Sequence, residues 1–329
     1  MSAGGEFEYI ARRLAPLSRG ASGAAGLTDD GAVLSPPPGQ ELAVTADALV
    51  EGVHFPEGED PALAARKALR VNLSDLAAMG AAPLAYMTSV VWPRDGFQAR
   101  AEGFADGLAL DQEKYGVCLI GGDTTSGPGP WVIAVTAFGL LPAGKAVRRS
   151  AARTGDFLVV TGEIGAAWLG LKQREAGLKP GDPGFEPVFE QSFTLPEPRI
   201  ALAGAVRDYA NAAIDVSDGL LADARHIAAA SGLGVGIDLD AMPVAAAASA
   251  WLDRQDSRSE ALLALASGGD DYELALGICP DRLEGFEAAC REAGVRCTVI
   301  GRFEAGEREI TVRGEGRALD PERFGFTHF

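Results

Sequence analysis

Positive charge is scarce in this 329-residue sequence, where 29 lysines and arginines stand against 46 aspartates and glutamates for a net charge of −17. Such a surface repels nucleic acid and anionic lipid, so neither is an expected partner. Although 47% of the residues are hydrophobic, no apolar run approaches the ~18 residues a membrane-spanning helix needs. The N-terminus carries Glu6 and Glu8 where a signal peptide has bases, and a cytoplasmic protein is expected. Cys118, Cys279, Cys290 and Cys297 form no CxxC pair and read as reduced core residues. The GxxxxGK[ST] phosphate loop and the DxDxDG calcium loop are both absent.

What the chain does have is aspartate in awkward places. The apolar spacing of Leu69, Leu73 and Leu76 predicts a helix from about residue 61, with Asn72 and Asp75 three apart on a neighbouring face. Asp75 falls in its last turn, inside an apolar run, where both the helix dipole and burial disfavour a carboxylate. Asp47 interrupts a predicted strand over 42–50, and strands disfavour Asp. Asp29-Asp30-Gly31 leads into a predicted strand at 32–34. A short strand from Val117 is expected to break at Gly121-Gly122, leaving Asp123 just past its end, where α/β proteins hold ligands. A helix over 97–115 is expected to bury Phe104, Leu108 and the Leu110 region, and 6–18 reads as an amphipathic opening helix.

In the second half a strand over 212–216 runs into Asp215-Val-Ser217-Asp218-Gly, with Ser217 as the expected N-cap of the next helix. Ser267-Gly-Gly-Asp270-Asp271-Tyr-Glu273 again sets glycines before paired acids. Asn72-Leu-Ser-Asp-Leu and Asp215-Val-Ser-Asp-Gly hint that the halves are related. The length suits two domains, and the Pro142 to Gly155 stretch is their natural boundary.

Asp30, Asp47, Asp75, Asp123, Asp215 and Asp218 have no His or Cys interleaved, which suits hard cations such as magnesium and disfavours zinc. Acids that converge repel one another unless several ions sit between them, and that combination points to a polyphosphate substrate and phosphoryl transfer. A module that binds calcium or magnesium without catalysis is the rival reading.

Seven blocks then resemble, in order, the thiamine-monophosphate kinases, within the ATP-using superfamily that includes aminoimidazole ribonucleotide synthetase. They are Asp29-Asp30, the stretch from Thr45 to Phe55, that from Ala68 to Ala81, Gly121 to Thr125, Val216 to Leu220, Gly268 to Leu274 and Gly325 to Phe329. The resemblance implies a two-domain α/β fold with mixed sheets. Residues 1–147 would form an ATP- and magnesium-binding, dimerising domain, and 148–329 a domain closing over the active site. It implies transfer from ATP to thiamine monophosphate, giving thiamine diphosphate and ADP, in a homodimer.

By matching positions, the resemblance makes Asp30, Thr45, Asp47, Asp75, Asp123, Asp215 and Asp218 magnesium ligands, with Ala46 contributing backbone. Gly121, Gly122, Asp123, Arg149 and Ser217 would contact ATP; Asp75, Asp123, Arg149 and Asp218 would carry catalysis. His54, Asp270 and Phe326 would meet thiamine monophosphate. The family usually has Glu at Asp270 and Gly at Thr28. A hydrogenase-maturation or purine-pathway ATPase of the same superfamily would share the acids and differ in its second substrate.

Overall fold

The computed structural model, which describes residues 6–306 and 309–327, forms the Pro61–Ala78 helix with Leu69, Leu73 and Leu76 at 0% exposure, the side their spacing selects. The chain divides into two compact units: one runs to Leu76 and resumes over Ala81–Gly144, and the other comprises Ala77–Gly80 and the chain from Lys145 onward.

The first unit is built on a four-stranded sheet of β1 (Gln40–Val50), β2 (Ala82–Pro93), β3 (Cys118–Gly127) and β4 (Val132–Pro142), ordered β1-β4-β2-β3. The β2–β3 pair is parallel, and β4 is antiparallel to both β1 and β2. Alternation along β4 buries Ile133, Val135 and Ala137 on one face. Against that face the Phe97–Tyr115 helix sets Phe104 edge-on to Trp92 and Trp131, which stack on each other at 5.3 Å.

Four expectations fail in this unit. Residues 32–34 form no strand: Val33 N–H bonds to the Gly23 carbonyl, and Pro36, Pro37 and Pro38 have no N–H for a ladder. β3 does not break at Gly121-Gly122 but continues to Gly127, so Asp123 lies within the strand, paired with Ser89. Leu110 is 54% exposed. The opening segment changes pitch from α (Glu6–Tyr9) through π (Ile10–Leu14) to 3₁₀ (Ala15–Ser18), the last change coming where Pro16 removes an N–H.

The second unit carries a seven-stranded sheet of β5 (Phe157–Thr161), β6 (Ala210–Asp215), β7 (Gly234–Asp238), β8 (Leu274–Ile278), β9 (Cys297–Glu304), β10 (Ile310–Gly314) and β11 (Arg317–Leu319). Its order is β11-β10-β7-β9-β5-β8-β6, which leaves β6 on an edge with Asp215 as its last residue. Its main core gathers Leu158, Val160, Ile214, Leu220, Ile227 and Leu265. All four cysteines are free, yet only Cys290 is buried; the other three are half-buried. Among the described residues, no helix is long and apolar enough to cross a membrane.

A buried ion pair braces the first unit. Asp111, 0% exposed, accepts from Arg70 Nε at 2.7 Å and from Arg66 Nε at 3.0 Å, and Arg70 is itself only 3% exposed. Removing one partner strands the other charge. Asp111→Ala is therefore expected to lower unfolding free energy by about 3 kcal/mol in a urea titration, and a loss near zero would refute this role.

Candidate active site

Alternation along β1 sends Thr45 and Asp47 to the same face. Thr45 Oγ1 donates to Asp75 Oδ2 at 2.5 Å. Asn72, fully buried, donates from Nδ2 to the Ala68 carbonyl at 2.9 Å and accepts the Asp47 N–H on Oδ1 at 3.1 Å. The pair three apart on the helix thus grips two alternate residues of one strand. Asp47 is open to solvent on one side, yet packing around it, followed by the neighbouring Asp75 carboxylate, raises its pKa to about 6. Two carboxyls forced this close form an oxygen-only donor pair that a hard cation relieves.

A second group of acids forms beside β3. Asp29, Asp30, Gly121, Gly122 and Asp123 line one cavity of about 140 Å³. Gly122 has φ 152°, and a Cβ there would stand 1.9 Å from the Thr88 carbonyl oxygen, so no other residue fits. The register Asp47↔Val135↔Thr88↔Gly122 puts the two groups in line across the sheet. Three strand spacings put the Cα atoms of Asp47 and Gly122 roughly 14 Å apart, and the side chains of the acids reach into the span between.

The Glu51–Phe55 loop presents His54. Gly52, at φ 82°, allows the turn in which its N–H bonds to the Phe55 carbonyl at 2.7 Å. Glu51 ties the loop down by accepting from Gly58 N–H, Trp131 N–H and Arg100. Val50 N–H donates to His54 Nδ1 at 3.0 Å, which fixes the ring, and the buried Lys67 donates to the His54 carbonyl at 3.0 Å.

In the second unit, Asp215 is 4% exposed at the end of β6, and Ser217 and Asp218 follow in a tight loop. Ser217 is not the helix N-cap. Gly219 is, and the helix begins at Leu220. The backbone of this loop instead bonds to Asp223, a residue no sequence signal singled out, because an acid in a first helical turn is common. Burial and the nearby Asp218 carboxylate raise Asp223 to about 7, against the opposing pull of the loop's N–H groups. Donor atoms of Asp218, Asp223 and His226 all lie within 4.8 Å of one another.

The three acids of the Gly268–Glu273 stretch have separate jobs. Asp270, in a left-handed conformation at φ 65°, donates its N–H to the Ser217 carbonyl at 2.8 Å. Asp271 accepts from Gly165 N–H at 2.9 Å at the start of the Ala166–Glu175 helix, and burial pushes its carboxyl well above the usual range. Glu273 pairs with Arg199 Nε at 2.6 Å and accepts from Thr161 Oγ1 at 2.7 Å.

Phe326 N–H bonds to the Asp218 carbonyl at 2.9 Å, and both residues line a cavity of about 570 Å³ with Arg225, His226 and Arg323. His328 and Phe329 of the terminal block lie outside the described residues. Arg149 is exposed on a short 3₁₀ turn whose carbonyl accepts from Ser231 Oγ at 3.1 Å. The expected residues therefore assemble as local groups: Thr45, Asp47 and Asp75; Asp30, Gly121, Gly122 and Asp123; Ser217, Asp218, Asp270 and Phe326.

The family model described as AIR synthase related protein, N-terminal domain, matches residues 28–141, and its C-terminal counterpart matches 153–313. The chain thus belongs to the AIR synthase related family. A thiamine-monophosphate kinase from Caulobacter vibrioides is 45% identical over 323 residues, which span 98% of this chain and 90% of the relative. Among solved structures, thiamine-monophosphate kinase from Stenotrophomonas maltophilia K279a superposes with a TM-score of 0.78 at 36% identity, covering 89% of this chain and 91% of that one. A structure described as AaThiL complexed with AMPPCP and TMP gives 0.77 at 30% identity, covering 92% and 91%. Within its family, this chain is one of the thiamine-monophosphate kinases.

Gly269 joins the loops of the second unit: at φ 77°, its Cβ would lie 2.5 Å from the Ser217 carbonyl oxygen. Gly269→Ala is expected to lower the melting temperature and to cut turnover at least about tenfold. Wild-type kinetics in a folded variant would contradict the loop pairing.

Proposed function

We propose that this chain phosphorylates thiamine monophosphate with ATP by direct in-line transfer, giving thiamine diphosphate and ADP. The observation that carries the reading is the contact of Asp47 with Asp75, held by Thr45 and Asn72, in a chain of this family. The oxygen-only donors fit magnesium, and Asp30, Thr45, the Ala46 backbone, Asp47, Asp75, Asp123, Asp215 and Asp218 would hold several such ions. Bound there, magnesium supplies charge compensation for the phosphates. A phosphate monoester has its second pKa near ~6, so the acceptor oxygen is already ionised at neutral pH and needs no general base.

The remaining roles belong to the chain's own side chains. Arg149 offsets negative charge on the transferring phosphoryl group, and Gly121, Gly122 and Ser217 contact the nucleotide. His54, Asp270 and Phe326 hold thiamine monophosphate, the acid and the aromatic face suiting a cationic thiazolium. Asp75, Asp123, Arg149 and Asp218 are the catalytic set. The protein works in the cytoplasm.

We read the first unit's sheet as the homodimer surface. On the face opposite Val135, Val44 is 54% exposed, and exposed Ala46 and Ala48 continue the same apolar stripe along β1.

ADP release from Mg-ATP is expected to depend on thiamine monophosphate and to fall at least about a hundredfold in Asp75→Asn. Release indifferent to thiamine monophosphate would point to another ATPase of the superfamily, and none from a folded sample to a binding module. Light scattering is expected to give the mass of two chains for the wild type and of one for Val44→Glu; an unchanged mass would remove this face from the interface.

A further inference from the structure

The N–H groups of Ser217, Asp218 and Gly219 converge on a single atom, Asp223 Oδ2, at 3.1, 3.2 and 3.2 Å. Successive N–H groups turned to one side make the concavity that phosphate-binding loops offer to an anion. Here it is filled from within. Asp223 is 1% exposed in the first turn of the Leu220–Ser231 helix, with its Oδ2 committed to the three amides.

The rest of the loop backbone is equally committed. Val216 N–H bonds to the Glu273 carbonyl at 2.7 Å. The carbonyls of Val216, Ser217, Asp218 and Gly219 accept from the N–H groups of Tyr272, Asp270, Phe326 and Asp223 at 2.8, 2.8, 2.9 and 3.0 Å. Every main-chain donor and acceptor from Val216 to Gly219 is therefore paired inside the protein. The loop's N–H groups are thus closed to a ligand.

We infer that Asp223 is a positioning residue: by filling the loop's N–H concavity it makes the loop offer the Ser217 hydroxyl to the nucleotide and the Asp218 carboxyl to its metal, and not its amides. This rests on the reading of Ser217 and Asp218 as nucleotide and metal contacts. An acid that merely complements the helix dipole would add a little stability and leave the loop's amides and the enzyme's kinetics unchanged.

The test compares the full-length wild type with Asp223→Ala and Asp223→Asn, by amide hydrogen exchange across residues 214–222 without nucleotide, by steady-state kinetics, and by inhibition with inorganic phosphate. In folded Asp223→Ala, the loop amides are expected to exchange at least about tenfold faster. KM for ATP should rise while kcat falls, and inorganic phosphate should become a competitor of ATP once the concavity is empty. Asp223→Asn keeps an acceptor oxygen and should lie between. Unchanged loop protection, or kcat and KM within about twofold of the wild type, would overturn the inference; should Asp223→Ala not fold, Asp223→Asn decides by the same criteria. If the wild type fails to turn over thiamine monophosphate, the functional reading fails, while the exchange data still judge Asp223.

Discussion

Like charges held in contact are the constraint around which this molecule is arranged. Asp47 and Asp75 come from different elements, and the protein raises Asp47 to about 6 by bringing it into packed surroundings beside Asp75. Such a pair persists only if the elements bearing it are fixed by something else. In the first unit that is a fully buried amide, Asn72, which bonds the strand on one side and its own helix on the other. Around it, Leu69, Leu73 and Leu76 hold the helix with apolar surface that has no stake in charge. The acids are therefore displayed by elements that Asn72 and apolar packing also hold, which lets their mutual repulsion remain available to a cation.

Much of this was legible from residue types and spacing. The helices at 61–78 and 97–115 carry long apolar periods, and Asp75 and Asp47 could be read as misplaced charges because their surroundings were predictable. What escaped depends on the backbone. Gly121-Gly122 looks like a strand terminator, yet β3 pairs through it because Gly122 takes a conformation closed to other residues, against the Thr88 carbonyl. The strand β7 is marked by Gly234 and Gly236 in a short run, where alternation gives little signal. Asp223 is invisible for a different reason: its partners are amides, and amides leave no trace in residue type.

The blocks that resemble the kinase family mix chemistry with carpentry in a way that residue identity alone does not separate. In the Glu51–Phe55 loop, the glutamate is spent on backbone N–H groups and Arg100, and the half-buried His54 takes the Val50 N–H on its ring. In the Gly268–Glu273 stretch, two of three acids are structural: Asp271 holds a helix start and Glu273 an ion pair with Arg199. A carboxylate that satisfies amides or an arginine inside the protein has little left for a ligand. Asp270, between the glycines and these two, donates its backbone N–H to the Ser217 carbonyl.

The two units hold their acids by different means, and this sets how each tolerates change. In the first, side chains do the holding: Asn72, Thr45 and Glu51 each bond a neighbouring element, so a substitution acts by deleting a donor or acceptor. In the second, main chain lies on main chain. A Cβ at Gly269 would meet the Ser217 carbonyl, one at Gly219 the Ser267 carbonyl carbon, and one at Gly325 the Asp218 carbonyl. Substitution there acts by volume, because packed backbone has nowhere to move.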